Sequence, residues 1–557
     1  MTGHHPSEDH AHPPARPFER LRLLLRPEGR DLVAVGIYAL AIALLSLATP
    51  IAVESLVNTV AFGVFLWPIL VLAGILLTCL GLAAAVKAMQ VYVIECIQRR
   101  LFIRVVGDYA HRLPRIRLDA LDRQNGPELV NRFFDVLTVQ KSLATLLLDG
   151  VLIVVTTVVG MVVLAFYHPF LLGFDIILIL LIAFLLFVLG IGGVGSSLRE
   201  SHAKYDTAAW LEELVRTHRA FKFAGGRHLA LEKADELAEH YADARKAHFR
   251  VVWRQTVFAL GLQVVASTTL LGLGGWLVID RQLTLGQLVA SELIVALIVA
   301  SVAKLGKYAE TFYDLMSGSE KLGLLTDLPL ERAGGEALPD REGGLAVRVR
   351  GVTGVAHRPF PRTIDWTVRP GERIAVVGPA GSGKSTLFEL ICGLREPAAG
   401  VVELDGIDLR GLDLDSVRER VALVTGPDVF AGTVAENLRV GRPHLHPGEL
   451  RDALSAVGLQ SAVHDLPQGM DTPLVPPGDP LTHTQSARLV IARALVGRPR
   501  LLVLDGILDT IDLADCPDLI AQLFSRSAPW TLLIASSDPK VVGLCDRVLE
   551  VTPGVSP

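Results

Sequence analysis

Long apolar runs alternate with longer polar stretches over the first part of the chain. The runs cover residues 31–57, 63–88, 143–167, 170–194, 257–279 and 285–303. Each is about 20 residues or longer, the length a helix needs to cross a hydrocarbon core of about 30 Å. Lipid offers no partner to a backbone N–H or C=O, so each run is predicted to be a continuous helix. Six crossings return both ends of the region to one side. The connections VNTVAF, YHPF and DRQ are short and carry little charge, whereas residues 90–140 and 196–255 are rich in Arg and Lys. That bias places the long stretches and both termini in the cytoplasm. In DTAAWLEELVRTHRAFK the apolar residues recur at helical spacing, so the helices are predicted to run on beyond the bilayer and to carry motion to a soluble domain.

The pattern changes after the sixth run. Residues 312–344 end in LPLERAGGEALPDREGG, polar and rich in Gly and Pro, which reads as a linker. From Leu345 onward short apolar strands alternate with helices, the pattern of an α/β domain with a largely parallel sheet. At the other end, residues 1–14 are polar, carry His4, His5, His10 and His12, and read as a disordered tail rather than a signal peptide. RPFERLRLLLRPEGR follows and reads as a basic amphipathic helix on a membrane surface.

Composition agrees with a membrane protein. The chain has 557 residues, 51% hydrophobic and 20% charged, and its mean hydropathy is +0.44. A net charge of -5 gives no sign of nucleic-acid binding, and the five cysteines form no CxxC pair or metal spacing. Four acids fall within the spans: Glu54, Asp149, Asp175 and Glu292. Ionisable groups at such depth are costly and mark candidate sites, with Glu292 the best placed to line a path.

The clearest chemistry is in RIAVVGPAGSGKSTLFELICGL. A strand at residues 374–377 leads into Gly378, Pro379, Ala380, Gly381, Ser382, Gly383, Lys384, Ser385 and Thr386, the P-loop spacing. A helix follows, apolar at Leu387, Leu390, Ile391 and Leu394. Glycines let backbone N–H groups close around phosphates, and the helix N-terminus adds its positive end. Lys384 would neutralise phosphate charge. Ser385 would ligate Mg²⁺, and Asp505, at the tip of the strand LLVLD, would hold the ion from the neighbouring strand. The next residue, Gly506, stands where hydrolysis calls for a second carboxylate.

A six-span region followed by this domain resembles an ABC transporter half-subunit of the exporter type. The likeness is most specific in RPGERIAVVGPAGSGKST, FAGTVAENLRVG and ARLVIARALVGRPRLLVLD. It implies an all-α six-span transmembrane domain (15–311), the linker (312–344) and an α/β P-loop NTPase domain (345–557). It also implies ATP and Mg²⁺ as cofactors, residence in the plasma (inner) membrane, and a dimer with a second copy or another half-transporter. Each ATP would lie between one P-loop and the partner's signature segment. Several motif positions depart from the family pattern. The signature LSGGQ reads LTHTQ, keeping Thr482 and Gln485 as nucleotide contacts but replacing two glycines by His483 and Thr484. The glutamate after the Walker B aspartate is Gly506, and the switch histidine falls on Ser537. Thr425 or Gly426 replaces the Q-loop glutamine, and His357 is a weak stand-in for the adenine-stacking aromatic. Asp509 is a weak substitute for the missing base.

These residues predict a subunit that binds ATP–Mg and hydrolyses it poorly or not at all. The alternatives are an active exporter with an unusual base, and a membrane regulator that senses ATP and transports nothing. The resemblance suggests peptides, lipids or other amphipathic cargo. No peptidase-like segment precedes the spans, so leader cleavage by this chain is not expected.

Overall fold

The computed structural model describes residues 16–62, 66–122, 130–223, 225–356, 358–513 and 516–551. The His-rich tail and His357 lie outside them. The chain forms two compact units, Met1–Arg115 with Arg123–Leu328, and Ile116–Asp122 with Pro329–Pro557.

The first unit is all helix. Its helices are α1 (Pro17–Leu25), α2 (Gly29–Ser46), α3 (Ala48–Phe62), α4 (Leu66–Arg112), α6 (Asp135–Thr145), α7 (Val151–Tyr167), α8 (Pro169–Ala183), α9 (Gly193–Arg216), α10 (Gly226–Ile279), α11 (Leu285–Ala303) and α12 (Leu305–Thr326); α5 (Leu118–Leu121) belongs to the second unit. Among the described residues six stretches are long and apolar enough to cross a membrane; five contain an expected run whole, and the second, Trp67–Arg115, overlaps the run 63–88. The chain is an integral membrane protein of six spans. The 54 residues of α10 extend about 80 Å at 1.5 Å per residue, far beyond a bilayer core.

Three expectations need correction. The run 31–57 is not one helix but divides at Leu47 into α2 and α3. The run 170–194 is not one straight helix. After α8 the backbone widens into a π-helical turn, Phe184–Val188, and then reverses hand at Gly192 (φ 84°) before α9 begins. The cause is the glycine-rich GIGGVG. A Cβ on Gly193 would sit 2.3 Å from Tyr313 Cζ, so the Tyr313 ring occupies the space a side chain would need. The freed carbonyls are not abandoned: Arg254 Nε donates to Leu189 O (2.6 Å), and Gln255 Nε2 donates to Leu185 O (3.3 Å).

The stretch 312–344 is not a linker throughout. Its first part completes α12, whose Tyr313, Leu315, Met316, Leu322 and Leu325 are buried at helical spacing. The N-terminal helix docks here. Phe18 and Leu23 of α1 are exposed, as a membrane-surface helix requires, while Arg20 turns inward to Glu320 (2.7 Å) and Asp327.

The second unit is built on two sheets. One orders β2 (Arg358–Val368), β1 (Val347–Val355), β4 (Val401–Leu404) and β5 (Ile407–Asp408), all antiparallel. The other orders β11 (Arg547–Glu550), β3 (Arg373–Val377), β10 (Thr531–Ala535), β9 (Leu501–Asp505) and β6 (Val421–Val424), all parallel. A short ribbon pairs β7 (Gly432–Thr433) with β8 (Pro473–Leu474). Strands β3, β9 and β10 are buried nearly throughout, which is why they read as unbroken apolar runs.

Residues after Pro329 are pinned rather than loose. Arg418 forms a two-pronged pair with Glu331 (2.6 and 2.7 Å). Arg500, almost fully buried, donates to the carbonyls of Gly343 (3.0 Å), Pro339 (3.2 Å) and Gly344 (3.3 Å) and approaches Asp405 Oδ2 at 2.8 Å. Arg500→Ala leaves the buried Asp405 without its counter-charge. It is expected to cost about 3–5 kcal/mol of the second unit's stability, read by chemical unfolding of the purified chain.

Candidate nucleotide site

Parallel order brings the motifs to one edge. At the C-terminal ends of neighbouring strands lie the P-loop after β3, Ser536 and Ser537 after β10, Asp505 and Gly506 at the end of β9, and Thr425 and Gly426 after β6. Ligands of open parallel sheets bind at this edge. The order corrects one expectation: Asp505 is not on the strand next to the P-loop. Register places Asp505 beside Ala535, and Ala535 beside Val376, so β10 intervenes. Two strand spacings amount to about 10 Å. A Mg²⁺ ion between Ser385 and Asp505 would therefore be reached by the side chains and completed by phosphate and water oxygens, the usual manner for this ion. Among the described residues no three His, Cys, Asp or Glu side chains converge on a metal position, which fits an ion held largely by its nucleotide.

The loop itself is a cradle without side-chain obstruction. Gly378 has φ 156°, and a Cβ there would meet Val551 O at 2.3 Å and Ser382 Oγ at 2.9 Å. Gly383 (φ 98°) caps α13 (Lys384–Ile391), and a Cβ there would meet Phe360 Cε1 at 2.7 Å. Lys384 Nζ donates to Gly378 O (2.7 Å) and Pro379 O (2.9 Å), so the ammonium curls over the loop. Ser382 Oγ is buried and has no hydrogen-bond partner. A folded-back cation, an orphaned hydroxyl and the start of a helix are a donor set suited to phosphate. Leu387, Leu390 and Ile391 anchor α13 in the core and hold this geometry.

The remaining candidates are placed less favourably. Thr482 and Gln485 hold each other. Gln485 N donates to Thr482 Oγ1 (3.2 Å) and Thr482 N donates to Gln485 Oε1 (2.8 Å), a capping box at the start of α14 (His483–Val496). The S/T-x-x-Q spacing was the signal for this cap. His483 is exposed at the helix tip. Phe360 is buried against Gly383 and offers no free face for a base. Gly506 has φ 69° and nothing within 4 Å of a prospective Cβ. Asp509 is occupied: Oδ2 accepts from Ser537 N (3.0 Å) and Ser537 Oγ (2.9 Å), and Oδ1 accepts from Ser536 Oγ.

Arg395, just beyond α13, was not singled out from the sequence. Its side chain is buried and contacts Glu389 (2.6 Å) and Asp122 (2.7 Å), the latter from the segment Ile116–Asp122 counted with this unit. These partners hold its guanidinium firmly in the charged form. The one available signal was an Arg at the end of the P-loop helix.

A parallel sheet with a P-loop at its ligand edge defines a nucleotide-binding domain, here fused to six membrane helices. The ABC transporter family model matches residues 361–508, and the ABC transporter transmembrane region model matches residues 32–302. The chain belongs to the ABC transporters and has the half-transporter arrangement, membrane domain and nucleotide-binding domain in one polypeptide. The multidrug efflux ATP-binding/permease protein of Mycobacterium bovis is 32% identical over 55% of this chain, which spans only 26% of that protein. The mycobactin import ATP-binding/permease protein IrtB of Mycolicibacterium smegmatis is 28% identical over 80% of this chain and 78% of its own length. An ATP-dependent lipid A-core flippase of Thiobacillus denitrificans is 29% identical over 63% of this chain and 61% of its own. The fold matches a solved bacterial Atm1-family ABC exporter with ATP bound, with TM-score 0.83, 20% identity, and coverage of 95% of this chain and 94% of that one.

Lys384→Ala removes the cation over the loop. It is expected to weaken ATP binding by about tenfold to a hundredfold, the worth of a charge-assisted phosphate contact, as measured by titration with a fluorescent ATP analogue.

Proposed function

We propose that this chain is the ATP-binding subunit of an exporter-type ABC transporter and that it holds ATP–Mg at its own P-loop while cleaving it slowly or not at all. It resides in the inner membrane with the nucleotide-binding domain and both termini cytoplasmic. It works as a dimer, with a second copy or with another half-transporter. The relatives' names span multidrug efflux, mycobactin import and lipid A-core flipping, which supports amphipathic cargo. They do not share a direction, so transport is to be assayed both ways.

The observation that carries this reading is the contrast along one sheet edge. Groups that bind phosphate and Mg²⁺ are present: Lys384, Ser385 and Asp505. The position that would hold a water-activating carboxylate is Gly506, whose backbone is left-handed. In the chemistry proposed, Lys384 and the loop N–H groups neutralise the phosphates, and Asp505 holds the ion from β9. No described side chain then stands ready to take a proton from water. In a heterodimer the partner's ATP would face LTHTQ, where His483 and Thr484 crowd the approach that glycines allow.

The active-exporter reading needs Asp509 as base. Its two oxygens already accept three hydrogen bonds from Ser536 and Ser537, and a base must first release them. Asp509→Ala therefore leaves any residual phosphate release unchanged, whereas a fall to background on this substitution would make Asp509 the base. Under the regulator reading, ATP acts purely by favouring one conformation. That reading leads if no vesicle assay with any partner chain moves a substrate.

The deciding experiment measures ATP binding and phosphate release on the purified, lipid-reconstituted chain, with Lys384→Ala as control. Binding without release supports the proposal; Lys384-dependent turnover sinks it. Gly506→Glu is expected to raise turnover little. A non-glycine residue at this φ costs about 1–3 kcal/mol, and the restored carboxylate would project from a backbone built for glycine.

A further inference from the structure

Among the described residues, the membrane unit holds carboxyl groups with no ion-pair partner. Helices α3, α7, α8 and α11 contain Glu54, Asp175 and Glu292 and no Lys, Arg or His at all. Asp175 is only 2% exposed, and both its carboxyl oxygens are buried with no hydrogen-bond partner. Glu292 Oε2 is likewise buried and unpartnered. Glu54 accepts one hydrogen bond, from Tyr167 Oη at 2.7 Å.

Asp175 and Glu292 lie at similar distances from the starts of their helices. Asp175 lies six residues into α8 and Glu292 seven residues into α11, about 9–10 Å from the helix starts. Glu54 is one helical turn before Asn58, which lies against Gly286 at the start of α11. Tyr167, the last residue of α7, ties Glu54 to the turn from which α8 descends. Leu171 and Leu178, one turn to either side of Asp175, are buried in the same apolar cluster as Ile294 and Ile298 of α11. Asp175 is thus flanked by residues of an apolar cluster to which α7, α8, α10 and α11 all contribute.

A bare carboxylate in such a place costs several kcal/mol and is retained where something positive visits it. A molecule with an apolar body and a cationic nitrogen fits both the lining and the unsatisfied oxygens. We infer that Asp175 binds the cationic group of an amphipathic organic cargo. This rests on the transporter reading above and narrows its cargo class.

The test uses the full chain in nanodiscs of uncharged lipid. The probes are a dansyl-labelled alkyl primary ammonium and the same molecule with an alcohol in place of the ammonium. Asp175→Asn is expected to weaken binding of the ammonium probe by about thirtyfold, as loss of one partner of a buried ion pair does. Asp175→Glu should retain most of the affinity, and the alcohol probe should bind all three proteins alike. On the wild type alone, unlabelled dodecylammonium should displace the ammonium probe and dodecanol should not. Asp175→Asn should also unfold no earlier than the wild type, because it removes a buried unsatisfied charge. An ammonium affinity in Asp175→Asn within about twofold of the wild type overturns the proposal, as does equal loss of the alcohol probe or equal displacement by dodecanol. ATP binding is titrated on the same samples. Its failure in the wild type would remove the nucleotide reading and leave the cation result standing, and its retention in Asp175→Asn verifies the fold.

Discussion

Nothing in a lipid interior can hydrogen-bond to a peptide group, and the membrane unit is arranged around that fact. It forces each crossing into helix, and it makes any departure from helix depend on a named partner. The break after α8 is tolerable because Arg254 and Gln255 reach back to the carbonyls it frees. The same poverty of partners gives the acids of the spans their significance. A carboxylate that would be ordinary in water becomes, next to Leu171 and Leu178, a group that must find its counterpart elsewhere.

The nucleotide unit works on the opposite principle, an excess of donors at one place. Parallel strands end together, so loops distant in sequence are gathered along one edge. That gathering concentrates phosphate-binding groups on the P-loop and leaves the end of β9 with a single acid. It also explains the capture of Asp509 by Ser536 and Ser537, which come directly after the adjacent strand.

Some of this was legible in the chain. The six spans were, because lipid imposes a minimum length that composition cannot disguise. The P-loop was, because its chemistry fixes residue types at fixed spacing and the flanking strand and helix agreed. The break after α8 was hidden: the run stays apolar through it, and only the clustered glycines and the place of Tyr313 produce it. The order of β3, β10 and β9 was also hidden, since strand neighbours depend on packing and not on chain order, and Asp505 was placed one strand too close. For Thr482 and Gln485 the family likeness pointed to a nucleotide contact, and the capping box that engages their side chains here went unread.

The left-handed backbone at Gly506 ties this position to glycine. A carboxylate can be written into the gene by changing one residue, but the main chain there has settled into a conformation that only glycine adopts without strain. Side chain and turn would have to change in step, each of no use without the other. The turn is further held at both ends, by Gly506 N donating to Ala535 O and by Asp509 clasping the neighbouring strand's exit. Under the reading proposed above, placing a carboxylate here calls for transplanting the whole turn rather than changing a single letter.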